Sequence, residues 1–194
     1  MRYPKLFVAA VLALSATAIT FSAAPQGLDQ PRESFTAVAV ANSDMASGIA
    51  RLLIDVKRWS TDGERERLIG LLREKGQSAM LAQLRDSPST GTIRTQESLA
   101  YDLRFAYQEP GKEGGRQIML ITDRPVSFGE AWAQPRSIEY PFTVIQMQMD
   151  GDGRGKGTLS YATRIEASGK FIFLEDLATA PIQLTEITAE KREN

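Results

Sequence analysis

SLAYDLRFAYQ, residues 98–108, alternates apolar and polar side chains along almost its whole length. Leu99, Tyr101, Leu103, Phe105 and Tyr107 fall on one face, and Ala100, Asp102, Arg104, Ala106 and Gln108 on the other. A period of two is the signature of a strand, and strict alternation implies one buried and one wet face, as in an antiparallel sheet. The same pattern continues downstream. PGKEGG at 110–115 reads as a turn. QIMLIT at 117–122 is apolar on both faces and predicts a covered strand. FTVIQMQM at 142–149 groups Ile145, Met147 and Met149. GTLSYATRI at 157–165, KFIFLE at 170–175 and PIQLTEI at 181–187 follow, with Ala167-Ser168-Gly169 as a short hairpin turn. Six or seven strands are expected after Gly91.

Upstream lie two helices. Thr61-x-x-Glu64 is a capping box, in which the Thr hydroxyl accepts from the Glu64 backbone N–H and the Glu64 carboxylate reaches back. Leu68, Leu71 and Leu72 then form one apolar stripe, and Gly76 is a natural stop. Met80, Leu81 and Leu84 mark a second short helix ended by Ser87-Pro88. IARLLIDVKRW at 49–59 fits either a strand or a helix; we read it as a strand because a helix start signal comes just after it. FTAVAVAN at 35–42 reads as another strand. The expected class is α+β, mainly an antiparallel strongly curved sheet or small barrel, with an inserted helical hairpin covering one face or an open end.

The N-terminus has the order of a secretory signal peptide: Arg2 and Lys5, then the apolar run LFVAAVLAL, then small residues up to Ala24. The alternative, an uncleaved membrane anchor, needs about 20 predominantly apolar residues, and Ser and Thr interrupt this run. The expected organisation is a signal peptide at 1–24, a flexible leader at 25–34, one domain at 35–188 and a tail at 189–194. Export places the chain in a periplasmic or extracellular setting, with no stable membrane span after signal removal.

The chain has 194 residues, 23 basic against 24 acidic, and neither cysteine nor histidine. Near-neutral charge argues against a nucleic-acid partner. The two zeros exclude disulfides, thiolate nucleophiles, Cys or His metal sites and every triad with an imidazole base. Carboxylate, Ser–Lys or Tyr chemistry survives. No serine stands three before a lysine, which leaves no S-x-x-K. Asp102, Glu130, Glu139, Glu166, Glu175 and Asp176 are the carboxylates available to a hydrolase, which needs two of them across a cleft. DGDGRGKG at 150–157 places Asp150, Asp152 and Gly155 at EF-hand positions, but Arg154 and Tyr161 stand where two ligands are required. A glycine-rich hairpin loop explains it better, and no metal or cofactor is expected.

The 19-residue connection from Asp123 to Pro141 interleaves Arg with aromatic side chains. Arg124, Phe128, Trp132, Arg136 and Tyr140 are the candidate patch for a ligand or partner. The same residues suit, and more readily, a loop that folds back onto the sheet as a plug.

RWSTDGER at 58–65, EKGQ at 74–77, YDLRFA at 101–106 and TDRPVSFGEAWAQPRSIEYPFT at 122–143 together resemble a group of uncharacterised exported bacterial proteins. The resemblance spans most of the chain after the leader and implies a bacterial, exported setting and one recurring domain. It implies no activity and no site residue. The expected function is a non-enzymatic binding domain for a small apolar ligand held in the mouth of the curved sheet, or for an envelope partner. The alternatives are a carboxylate-dependent hydrolase of envelope or extracellular polymer, and a structural or assembly module.

Overall fold

The computed structural model describes residues 32–43, 46–96, 98–126, 139–168, 171–176 and 180–192. The signal peptide and most of the leader, 1–31, lie outside these, as do Phe128, Trp132, Arg136 and Glu130. The elements run β1 (Arg32–Ser43), β2 (Ala46–Val56), α1 (Asp62–Lys75), α2 (Gln77–Asp86), β3 (Gly91–Thr95), β4 (Tyr101–Pro110), β5 (Arg116–Thr122), β6 (Phe142–Met149), β7 (Arg154–Ser168), β8 (Phe171–Asp176) and β9 (Ile182–Arg192). Neighbours pair in the order β6-β5-β4-β3-β2-β1-β9-β7-β8, and β6 also pairs with β7. That last pairing closes eight antiparallel strands into a barrel. β8 is the extra strand: it continues along the edge of β7 from Thr163, beyond the point where β9 leaves off at Leu159. The class is α+β, a small antiparallel barrel with a helical hairpin, and the stretch read as a strand over 49–59 is one as far as Val56.

Two apolar cores share this wall. The inner one fills the barrel with Phe35, Leu52, Ile93, Leu120, Ile145 and Leu184 among others. The outer one sits between the helices and the outside of the barrel, joining Leu68, Leu72, Met80 and Leu84 to Phe105, Ile121, Phe142, Val144 and Ile165. The helical hairpin therefore covers a face and not an end. The capping box is formed: the Glu64 N–H donates to Thr61 Oγ1 over 3.2 Å, and the Thr61 N–H donates to Glu64 Oε2 over 2.7 Å.

β4 departs from the uniform alternation expected of it. Leu103 pairs with Thr122 but Phe105 with Ile121, so β4 carries one extra residue at a bulge. Leu103 and Ala106 point into the barrel, whereas Phe105 and Tyr107 point out beneath the helices. Leu99 is 89% exposed. The five residues do not share a face because the extra residue shifts the phase by one. β7 does the same: Phe142 pairs with Thr163 and Val144 with Ser160. Tyr161 and Ala162 both join the inner core, and Ile165 beyond them joins the outer one. Thr143, opposite this bulge, donates to the Tyr161 carbonyl over 2.7 Å and accepts from the Val126 N–H over 2.8 Å. A third bulge sits in β9 at Glu186, at φ 50, which lets Leu184 and Ile187 both face inward.

The domain edges also move. β1 starts at Arg32, inside the stretch read as leader, and β9 runs to Arg192, inside the stretch read as tail. The reason is Glu33. It is 1% exposed and receives Arg116 as a fork: Nη1 donates to Oε2 over 2.7 Å and Nη2 to Oε1 over 2.8 Å. Arg116 also donates to Gln108 Oε1 over 2.7 Å, and its guanidinium lies over the Phe35 ring. β1 and β5 stand opposite each other around the barrel, so this pair spans its end. Trp59, fully buried just past β2, stops the same end.

Removing Arg116 alone leaves a buried carboxylate uncompensated. Arg116→Met is expected to destabilise by about 3–5 kcal/mol, and the double variant Glu33→Leu/Arg116→Met to recover most of that. Urea unfolding of the four-member cycle measures it. Gly157→Ala is expected to cost more than about 2 kcal/mol in the same assay, because a Cβ there runs into the Gln146 carbonyl where β7 bends over β6.

Candidate functional site

The barrel interior is not the site. Trp59 stops one end, and Val126, which follows the turn after β5, is buried in the inner core at the other. The mouth of the sheet, the expected place for a ligand, is occupied by the chain itself. Val126 is one of the first residues of the long connection; Phe128, Trp132 and Arg136, read as a patch or a plug, lie outside the described residues.

The open space lies outside the barrel. A groove of 660 Å³ runs between α1 on one side and β8 and β9 on the other, with the outer faces of β4, β5, β6 and β7 as floor. Its size falls in the range of roughly 300–1,000 Å³ typical of small-molecule sites. The bulges create the floor, since they turn apolar residues outward from β4 and β7.

Register orders the floor into cross-strand rows. Phe105, Ile121 and Val144 form the first, beneath the helices. Tyr107, Met119, Gln146, Thr158 and Gln183 form the second. Glu109, Gln117, Gln148 and Lys156 form the third. Alternate residues on a strand are roughly 7 Å apart, so three rows cover roughly 14 Å. Along that length β4, β5 and β6 each pass from apolar to polar in the same direction. Ile165 and Leu174 extend the apolar end toward β8, with Ile172 40% exposed at its margin.

The rim is fixed by charge. Tyr107 donates to Asp62 Oδ1 over 2.8 Å, and Arg65 lies over its ring. Partial burial, then the Asp62 hydrogen bond, push the Tyr107 hydroxyl above its usual range. Burial also pushes the Glu64 carboxyl up, but hydrogen bonds from Arg58 and from the Thr61 backbone outweigh it and hold the group below its ordinary 4.5. Arg104 anchors the other helix, donating to the carbonyl of Ser87 at the end of α2 over 3.2 Å while Asp123 stands 3.5 Å from its Nε.

The two described members of the expected patch engage different partners. Arg124 is exposed and pairs with Asp123 over 3.3 Å. Tyr140 donates to Glu175 Oε1 over 2.9 Å and receives Arg164 over its ring. The Glu175 hydrogen bond raises its pKa. Neither lines the groove. Sequence reasoning missed the groove residues because Gln146 and Gln148 read as ordinary wet-face positions and Lys156 as part of a glycine-rich hairpin loop.

The described candidate carboxylates are held by local partners. Asp102 and Glu166 pair with Arg104 and Arg164 respectively. Asp176 accepts from Ser160 over 2.7 Å and from Thr163 over 2.9 Å. Glu109 is the sole carboxylate among the described residues lining the groove. No group of three potential metal ligands occurs among the described residues. Asp150 Oδ1 accepts the N–H groups of Asp152 and Arg154, so the first four residues of DGDGRGKG form the β6–β7 turn. The last four, read as part of the loop, already start β7, which pairs with β6 from Gly155. No helix among the described residues is long and apolar enough to cross a membrane. Comparison with known protein families, with curated proteins and with solved structures returns no match.

The folded pKa of Glu64 lies below its unfolded value, so its stabilisation is present above about pH 4.5 and is lost as pH falls through the folded value. Glu64→Gln is expected to cost about 1 kcal/mol near neutral pH and progressively less toward acid. Stability curves of both proteins across that pH range check it.

Proposed function

We propose that the chain is an exported bacterial binding protein without catalytic activity, whose outer-wall groove receives a small, largely apolar ligand. The observation that carries this reading is the groove floor. Tyr107 and Met119 stay part-exposed in an open cleft of 660 Å³, beside Phe105, Ile121 and Val144, which the helices close over. The signal-peptide order at the N-terminus supports export, and the likeness to exported bacterial proteins agrees with it. Hydrolysis finds less support, because among the described residues the cleft offers Glu109 without a second acid across it. The aromatic and Arg residues of the long connection, Arg124, Phe128, Trp132, Arg136 and Tyr140, are proposed as a separate contact surface for an envelope partner.

The test is titration with the apolar fluorophore N-phenyl-1-naphthylamine. Saturable binding of one probe per chain is expected. Met119→Lys or Val144→Gln should weaken it about tenfold, since a charge or unpaired amide then sits against the apolar ligand. Thermal unfolding of each variant controls for folding. Absence of saturable binding overturns the reading, and so does loss of binding in Trp132→Ala or Arg136→Ala with both groove variants unaffected.

A further inference from the structure

We infer that the polar end of the groove selects an uncharged, hydroxyl-rich headgroup, so that the ligand is a single-chain amphiphile of the glycolipid or acyl-polyol kind. The inference rests on the groove being a ligand site and adds which chemistry it admits.

The third row carries the argument. Across β4, β5, β6 and β7 it reads Glu109, Gln117, Gln148, Lys156. Strands lie roughly 4.8 Å apart, so the two charges are separated by roughly 14 Å, with the amides between them. The row is neutral as a whole. The Gln117 and Gln148 side chains form no hydrogen bond to another described residue, and Gln146 stands one row behind them in the same state.

Hydrogen-bonding capacity then discriminates between headgroups. A carboxylate such as Glu109 only accepts, an ammonium such as Lys156 only donates, and a glutamine amide does both. A hydroxyl also does both, so a polyol finds a partner at every position along the row. A sulfate or carboxylate headgroup suits Lys156 but only accepts, so it leaves Glu109 and the amide oxygens without a donor. A quaternary ammonium suits Glu109 and has no hydrogen-bonding group for either amide or for Lys156. The apolar residues behind, Met119 with Leu174 and Ile172 toward β8, take the chain.

The experiment displaces bound N-phenyl-1-naphthylamine with three decyl amphiphiles below their micellar range: decyl maltoside, decyl sulfate and decyltrimethylammonium. Decyl maltoside is expected to bind about tenfold more tightly than either charged compound, the scale of one well-placed hydrogen-bond set. Its affinity should stay within about twofold as salt is raised, because no net charge is neutralised. Gln117→Leu/Gln148→Leu should abolish the preference while keeping the probe site. Gln117→Thr/Gln148→Thr, which retains strand propensity, should weaken it less. A charged amphiphile binding as tightly as the maltoside overturns the inference, as does a preference that survives the leucine pair. In either case bound probe leaves the groove standing as a site; failure of the probe itself to bind removes the groove reading and this inference together.

Discussion

One wall must supply two apolar cores, and the rest of the molecule follows from that demand. A strand has two faces and a period of two, so a uniform strand can give its apolar side to one core only. β1 does this, sending Phe35, Ala37, Ala39 and Ala41 inward. β4 and β7 cannot, because part of each faces the barrel interior and part must hold the helices. An extra residue in each strand shifts the phase between the two duties. Bulges leave backbone groups without ladder partners, and side chains take them up. Thr143 satisfies the Tyr161 carbonyl, and Ser60 lies against Ala106, exchanging bonds with both its N–H and its carbonyl. The bulge in β4 also sends Arg104 toward the end of α2, where a cation complements the helix dipole.

Much of this was legible along the chain, and the failures share one cause. The Thr61–Glu64 capping box, the two-sided apolar run at 117–122 and the group Ile145, Met147 and Met149 are local patterns, and each folds as its pattern dictates. The β4 bulge left no mark in residues 98–108, because what makes Arg104 surplus is the partner strand, where Thr122 and Ile121 stand adjacent. Glu33 sits among polar residues and reads as leader. Its burial depends on Arg116, 83 positions away and on the opposite side of the barrel. The groove was invisible for the same reason. Gln117, Gln148 and Lys156 become a row only once β5, β6 and β7 are set in register.

That the open site lies outside the barrel is a consequence of barrel size. Eight strands enclose a space that ordinary side chains can fill, and Phe35, Met147 and Trp59 fill it here. Small residues on β1 pair with larger ones on β2 and β9, Ala37 with Leu52 and Ala39 with Leu184, which helps side chains fill the interior. A binding function therefore has to use the outer surface, and an exposed strand face alone makes a flat site. The helical hairpin supplies the missing wall. It covers the first cross-strand row and leaves the second and third open, because α1 offers only Leu68 and Leu72 as fully buried contacts. The helix that completes the outer core thus also ends it, and the boundary between the covered row and the open rows is where the cleft begins.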